Sequence, residues 1–180
     1  MPVHSDVLIV PGLGSSGRSH WQTLWQEAHG YERVEQRDWD APSRAEWLET
    51  LERALRARTR PSVLVAHSLG CALIAHYSLQ PSAAKLVRAA LLVAPADVDD
   101  PARTPECTRC FAPLPLRQLP FESLVVASAD DPFCGPSRAR QFAEAWGADF
   151  EDIGNAGHIN ADSGLGAWPA GHRFLQRVLV

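Results

Sequence analysis

An open α/β sheet of about six parallel strands, with helices on both faces, is what this sequence predicts. Three observations lead there. Short apolar runs alternate with amphipathic stretches along the whole chain, the pattern of strand–helix units around a parallel sheet. Several runs, such as VLVA at 63–66 and ALLVA at 90–94, are apolar at every position. Strands buried on both faces look like that, whereas half-exposed strands alternate. The first and third strand–helix junctions, PGLGSSG and HSLG, are rich in small residues, as a chain must be where it reverses tightly or approaches other backbone.

The strands are expected at 7–10, 34–37, 62–67, 89–94, 123–128 and 149–153. Between them, a helix should begin at Trp21. Ser43 and Glu46 form an S-x-x-E capping box, which satisfies free N–H groups at a helix start. Behind it Trp47, Leu48, Leu51, Ala54 and Leu55 recur at helical spacing, so one face packs on the sheet. The stretch 69–79 is apolar nearly all round and should form a central, buried helix. Pro136 suits the first turn of the next helix, with Ala139, Phe142, Ala143 and Trp146 inward. The last helix is expected over 169–178, with Phe174, Leu175 and Val178 inward. The segment 96–121 breaks the rhythm, with prolines at 101, 105, 113, 115 and 120. A long connection in a compact domain is often functional, so it is expected over or beside a site.

The bulk numbers restrict the function. The 180 residues, 46% hydrophobic and 21% charged, fit one globular domain, taken here as 1–180. A net charge of −4 gives no nucleic-acid footprint. The densest arginine run, Arg53, Arg56, Arg58 and Arg60, reads as a solvated helix end that complements the helix dipole. The N-terminal MPVHSDVLIVPG has no basic region and only a short apolar run, so neither a signal peptide nor a membrane span is expected. With four cysteines and no secretion signal, a disulfide framework is not the default, and a soluble cytoplasmic protein is expected.

The chemistry concentrates at VLVAHSLGCALIAHY. Ala66-x-Ser68-x-Gly70 is a small-residue form of the nucleophile elbow, in which a serine sits on a sharp strand-to-helix turn. Residues two positions away must be small for strand and helix to approach. The helix N-terminus points free N–H groups at the reaction centre, so the N–H of Leu69 is an oxyanion donor. A serine that merely caps a helix would not require small neighbours on both sides.

A serine nucleophile needs a base and an orienting acid, in the chain order Ser, Asp or Glu, His for this architecture. Of seven histidines, His158 lies in GNAGHINADSGLG just after the last strand, where ligands bind in open α/β sheets. His67 should face away from the site as the serine's neighbour. His76 is mid-helix, and His4, His29 and His172 read as ordinary polar residues. His20 is able to approach the site from the first loop. Asp131, after the fifth strand, is the expected acid, and Asp130 a solvated neighbour. Asp97 and Asp99, after the fourth strand, stand in reserve.

Gly12, Gly14 and Gly17 spell G-x-G-x-x-G after a strand, with Asp38 about 20 positions on. That also matches a dinucleotide-binding fingerprint. This alternative leaves Ser68, Asp131 and His158 unexplained. In a hydrolase the same loop supplies the second oxyanion donor, here the N–H of Leu13, and brings Gly12, Gly14, His20 and Trp21 toward substrate. Trp168 also adjoins a glycine loop and is placed with Trp21 near the pocket. Cys107-x-x-Cys110 has no second pair and does not open a helix after a strand. It reads as two thiols in a loop rather than a metal or redox site.

The stretches VPGLGSSGRSHWQTLW, VAHSLGC, LPFESLVVASADDPFC and AEAWGADFEDIGNAGHINADSGLGAWPAG resemble the small serine hydrolases related to retinoblastoma-binding protein 9 and the bacterial YdeN-type proteins. The resemblance covers nearly the whole chain. It implies a minimal α/β-hydrolase fold without a cap domain and without the first two strands of larger members. Carried over by position, it implies Ser68 as nucleophile, Asp131 as acid and His158 as base, with esterase or aminopeptidase-like activity. Ala66 in place of the usual glycine is a departure that a small residue tolerates. No metal or organic cofactor is expected. The expected partner is a small ester, thioester or amide substrate, and the protein a monomer or small homo-oligomer. A binding module with little activity is the second reading, because the family has a history with protein partners.

Overall fold

A computed structural model describes residues 6–180, so His4 and the start of the chain lie outside the described residues. Six strands, β1 (Val7–Val10), β2 (Glu32–Arg33), β3 (Ser62–His67), β4 (Val87–Val93), β5 (Glu122–Ala127) and β6 (Asp149–Asp152), form one sheet in the order β2-β1-β3-β4-β5-β6. Every pairing is parallel. The helices are α1 (Trp21–His29), α2 (Arg44–Arg56), α3 (Leu69–Tyr77), the one-turn α4 (Ala83–Leu86), α5 (Pro136–Trp146) and α6 (Pro169–Leu179).

Alternate residues of the central strands enter two separate cores. Leu8, Val10, Leu64, Ala66, Ala90 and Leu92 pack with α2, α3 and α5. Val7, Ile9, Val63, Val65, Leu91 and Val93 pack with Trp21 and Trp25 of α1 and Leu175 of α6. Burial on both faces is why these strands lack alternation in sequence. Helix α3 is buried at all nine positions, as its composition predicts, but it ends at Tyr77 and leaves Leu79 exposed. On α6, Leu175 is buried, with Phe174 and Val178 partly buried against the same core.

The second strand differs from its expected range. Pairing with β1 covers only Glu32 and Arg33, and Val34 adds one further N–H bond to Ile9 O at 2.9 Å. Beyond that the chain passes the first turn of α2, where the side chain of Gln36 donates to Trp47 O. Side-chain burial of Val34 therefore continued the apolar signal past the end of the ladder. The long 96–121 connection has room for a short 3-10 helix, Glu106–Phe111, which carries Cys107 and Cys110 as two exposed thiols outside any disulfide.

The strand order places the site. After β1 the chain turns to α1 on one face, and after β3 it turns to α3 on the other. The loops following these adjacent strands diverge, leaving a crevice at the carboxyl ends of β1 and β3, the position where ligands bind in such sheets. The crevice is narrow at its base. A Cβ on Gly70 would collide with Val10 O and lie 2.9 Å from Pro11 O, and one on Gly12 would meet Leu69 N at 2.9 Å. We expect Gly70→Ala to destabilise the fold by about 1–3 kcal/mol through overpacking. Gly17→Ala, with nothing within 4 Å, should be near neutral. Urea unfolding of the two variants makes the comparison, and equal stabilities would refute the steric account of the elbow.

Candidate active site

Ser68 sits between β3 and α3 with φ 57° and ψ −122°, a conformation rarely adopted by residues other than glycine. Its N–H bonds to Val93 O at 3.0 Å, and its carbonyl accepts from Cys71 N at 2.9 Å. The turn is thus fastened to the neighbouring strand and to its own helix, and the side chain is left at the rim of the crevice. Neither the N–H of Leu69 nor that of Leu13 has an acceptor among the described residues. Both residues line the cleft beside Ser68.

His158 comes from the loop after β6. Its Nε2 lies 2.8 Å from Ser68 Oγ, and its Nδ1 lies 3.0 Å from each carboxylate oxygen of Asp131. An ionised carboxylate only accepts, so Nδ1 carries the proton and Nε2 presents a lone pair to the serine hydroxyl. Asp131 is buried, and one of its oxygens also accepts from Phe133 N at 2.9 Å. The three residues predicted from sequence are therefore in hydrogen-bonded line.

The reserve acids serve elsewhere. Arg138 of α5 binds Asp97 at 3.2 Å and Asp99 at 2.8 Å, and Asp99 also accepts from Leu114 N. They fasten the 96–121 segment to α5. Asp130 is exposed, as expected, but its Oδ1 accepts from Ser128 Oγ and from Gly157 N, both at 2.8 Å. It joins the acid loop to the base loop, and its carboxyl is held below the usual range first by the Ser128 hydroxyl and then by the Gly157 N–H.

Four other expectations require correction. His67 does not face away from the site. Its ring is buried with its centroid 4.8 Å from that of His158, and its Nε2 donates to His158 O at 2.8 Å. His67 closes β3 at the same alternation as Val63 and Val65, so its side chain lies on the α1/α6 face, where it meets His20 and the loop that carries His158. Trp21 is buried on the α1/α6 side of the sheet rather than in the cleft, and its indole N–H donates to Ile159 O at 2.8 Å. Trp168 is buried as well and packs on Trp21 and Trp25. Gly12 and Gly14 line neither cleft: Gly12 is buried and lets the loop pass the elbow, while Gly14, exposed at φ 73°, donates its N–H to Trp39 O.

The dinucleotide alternative loses its two supports. Helix α1 begins at Trp21, beyond the glycines, and the Nδ1 of His20 already caps Gln22 N. The Asp38 carboxylate is occupied by the N–H groups of Asp40 and Ala41 in its own turn. Among the described residues no group of three or more His, Cys, Asp or Glu is placed to hold a metal ion, and no helix is long and apolar enough to cross a membrane.

Two open clefts meet at Ser68, and both include Leu13, His158 and Asn160. One, of about 210 Å³, is polar and is walled by Ser15, His20, His67 and Asp162. The other, of about 270 Å³, is walled by Leu69, Ala96, Thr104, Pro105, Thr108 and Phe133. Four of these, Ala96, Thr104, Pro105 and Thr108, come from the proline-rich segment, which lies beside the site and does not seal it. His20, His67 and His158 form a row, with centroids 4.7 and 4.8 Å apart. Burial, and then nearby positive groups, push His20 down to about 4. Burial likewise holds His67 well below its ordinary value.

A family model described as "Serine hydrolase" matches residues 7–177. No curated protein sequence matches the chain. Among solved structures, a YdeN-like protein from Pectobacterium atrosepticum is 31% identical, with a TM-score of 0.86 over 98% of this chain and 91% of that one. The ydeN gene product of B. subtilis is 23% identical, with a TM-score of 0.75 over 97% and 98%. Est1E from Butyrivibrio proteoclasticus is 12% identical, with a TM-score of 0.71 over 99% and 90%. These last two show the fold, a six-stranded minimal α/β-hydrolase sheet with no cap domain evident in the described residues.

The buried histidines make stability depend on pH. Unfolded, His20 and His67 titrate near 6.5, whereas folded they stay neutral. The unfolded chain therefore binds protons more readily below that pH, so stability is full above about 6.5 and falls as the pH drops toward 4. Each ring contributes up to about 1.4 kcal/mol per pH unit in that window. Urea unfolding between pH 7 and 5 should show the slope. His20→Asn, which keeps a helix cap, should make it shallower; an unchanged slope would mean that His20 is not held neutral.

Proposed function

The chain belongs to the serine hydrolase family, and on that premise we propose that it cleaves small esters, thioesters or amides by acyl transfer through Ser68, His158 and Asp131. One observation carries the reading: the unbroken line of hydrogen bonds from Ser68 Oγ through His158 to buried Asp131. His158 Nε2 takes the serine proton as Oγ attacks the substrate carbonyl. The tetrahedral oxyanion accepts from the N–H groups of Leu13 and Leu69. His158 then gives its proton to the leaving alcohol, thiol or amine. Water, deprotonated by the same nitrogen, releases the acid and restores the serine.

Asp131 orients the imidazole and stabilises its charged form. With His20 and His67 neutral, the imidazolium meets one nearby countercharge and no buried cation in its row. The polar cleft suits the more polar half of the substrate, and the cleft against Ala96, Pro105 and Phe133 suits the less polar half. Both are smaller than the roughly 300–1,000 Å³ that drug-sized ligands occupy, which favours short substrates. Carboxylesterase-like activity in the cytoplasm, by a monomer or small homo-oligomer, completes the proposal.

A fluorophosphonate probe should label the wild type and leave Ser68→Ala and His158→Ala unlabelled. Asp131→Asn should retain the fold and lose kcat by a factor on the order of 10⁴. Among p-nitrophenyl esters, short acyl chains should turn over faster than long ones. A folded wild type that the probe does not label would overturn the acyl-transfer reading in favour of a binding module.

A further inference from the structure

The base is held by more than its acid. His158 lies in a loop between Gly154 and Gly164, and the next residue, Ile159, has φ 47°. A β-branched residue in that region is a genuine outlier, and a free chain would relax by rotating the peptide between 158 and 159. In this protein that rotation is blocked from two sides. On the side before His158, Ala156 N bonds to Ser128 Oγ and Gly157 N to Asp130 Oδ1, at 2.9 and 2.8 Å. On the side after it, two consecutive carbonyls are taken by ring N–H donors from different elements. His67 Nε2 donates to His158 O and Trp21 Nε1 to Ile159 O, each at 2.8 Å.

A backbone carbonyl only accepts, so His67 holds a proton on Nε2, and its burial disfavours a second proton on the ring. Residues 67 and 68 thus grip residue 158 at both ends: His67 takes its carbonyl, and Ser68 Oγ meets its imidazole. Trp21 is 1% exposed and has no route to substrate. None of these two donors' atoms enters the proposed acyl-transfer chemistry.

We propose that His67 and Trp21 are positioning residues, whose ring N–H groups fix the strained 158–159 turn and so set where the imidazole meets the serine. The proposal rests on the Ser68–His158 reading for its kinetic consequence. Its physical reason is that a misplacement of about 1 Å at a catalytic group is able to cost on the order of 10²-fold in rate. The same displacement leaves the cleft walls of the 96–121 segment untouched, so binding changes little.

His67→Leu removes the donor, His67→Gln replaces it with an amide N–H of similar reach, and Trp21→Phe removes the indole N–H while keeping an aromatic ring. With folding checked by circular dichroism and thermal melts, kcat and KM are measured on a short p-nitrophenyl ester. The expected result is a loss of about 10²-fold in kcat for His67→Leu and recovery of most of that loss in His67→Gln. Because His67 also walls the polar cleft, the KM criterion rests on Trp21→Phe, whose side chain lines neither cleft and whose KM should stay within about threefold. Trp21→Phe should lower kcat in the same way, and it decides the matter if His67→Leu does not fold. An unchanged kcat, a loss confined to KM, or a folded His67→Gln no better than His67→Leu would overturn the proposal.

A readout independent of turnover separates this proposal from the reading beneath it. The NMR signal of the proton on His158 Nδ1 should shift or broaden in His67→Leu and return in His67→Gln. If the wild type escapes the fluorophosphonate probe while this signal responds, acyl transfer falls and the positioning role stands. A signal that is the same in all variants overturns the positioning role.

Discussion

The backbone of Ser68 is held where an L-residue is unfavourable, and the centre of the molecule is arranged so that no cheaper path is open to it. Such a conformation costs on the order of 1–3 kcal/mol and persists only where the surroundings over-determine it. Here the residues before it are locked in β3, paired on both sides by β1 and β4. The residues after it are locked in the fully buried α3. Gly70 rests against the end of β1 with no room for a side chain, and Gly12 rests against Leu69 N. The strain therefore belongs to the junction of two rigid, apolar elements, and relaxing it would open both cores. The same close approach brings Leu13 and Leu69, whose N–H groups have no acceptor among the described residues, to one crevice beside Ser68.

Electrostatics at the crevice follow from burial. Three imidazoles in a row would repel one another if all were charged. Desolvation keeps His20 and His67 neutral, and hydrogen bonding fixes which nitrogen of each carries the proton: Nδ1 of His20 accepts from Gln22 N, and Nε2 of His67 donates to His158 O. Only the third ring faces a carboxylate. In the proposed mechanism the serine proton therefore passes to the one imidazole of the row that is hydrogen-bonded to a buried carboxylate.

How much of this was legible depends on the range over which each constraint acts. The elbow's steric rule spans two residues on either side of Ser68, so it is written locally and is readable. Asp131 and His158 are readable because they follow strands, and in a parallel sheet all strand ends meet on one edge. The sheet itself was readable from its apolar runs, apart from β2, where Val34 is buried outside the ladder. The roles of His67 and Trp21 were not. Nothing in the pattern around Trp21 marks an indole N–H that serves a carbonyl 138 residues away. The face of His67 follows from the alternation of β3, which it shares with Val63 and Val65, but nothing local marks that the loop after β6 brings a carbonyl onto that face. Asp131 is set apart from Asp130 by its place three residues after Ser128 and just before Pro132; it turns in to the base, while Asp130 binds the loop that carries the base.

In the proposed reading the proline-rich segment is where substrate specificity is added, because it walls one of the two clefts at Ser68. It has no core of its own, yet it is ordered by cations and a few donors from elsewhere. Arg109 reaches the carbonyls of Val98, Asp100 and Thr104, Arg138 holds Asp97 and Asp99, and His76 of α3 binds Phe111 O at 2.6 Å. Phe111 itself is buried against Trp47. The wall formed by Thr104, Pro105 and Thr108 is thus tied to α3 and α5 but shares no bond with the Ser68–His158–Asp131 line. Residues on this wall are free to vary with substrate while the strained turn and its clamps stay fixed, which is the division between scaffold and loop that α/β architectures exploit.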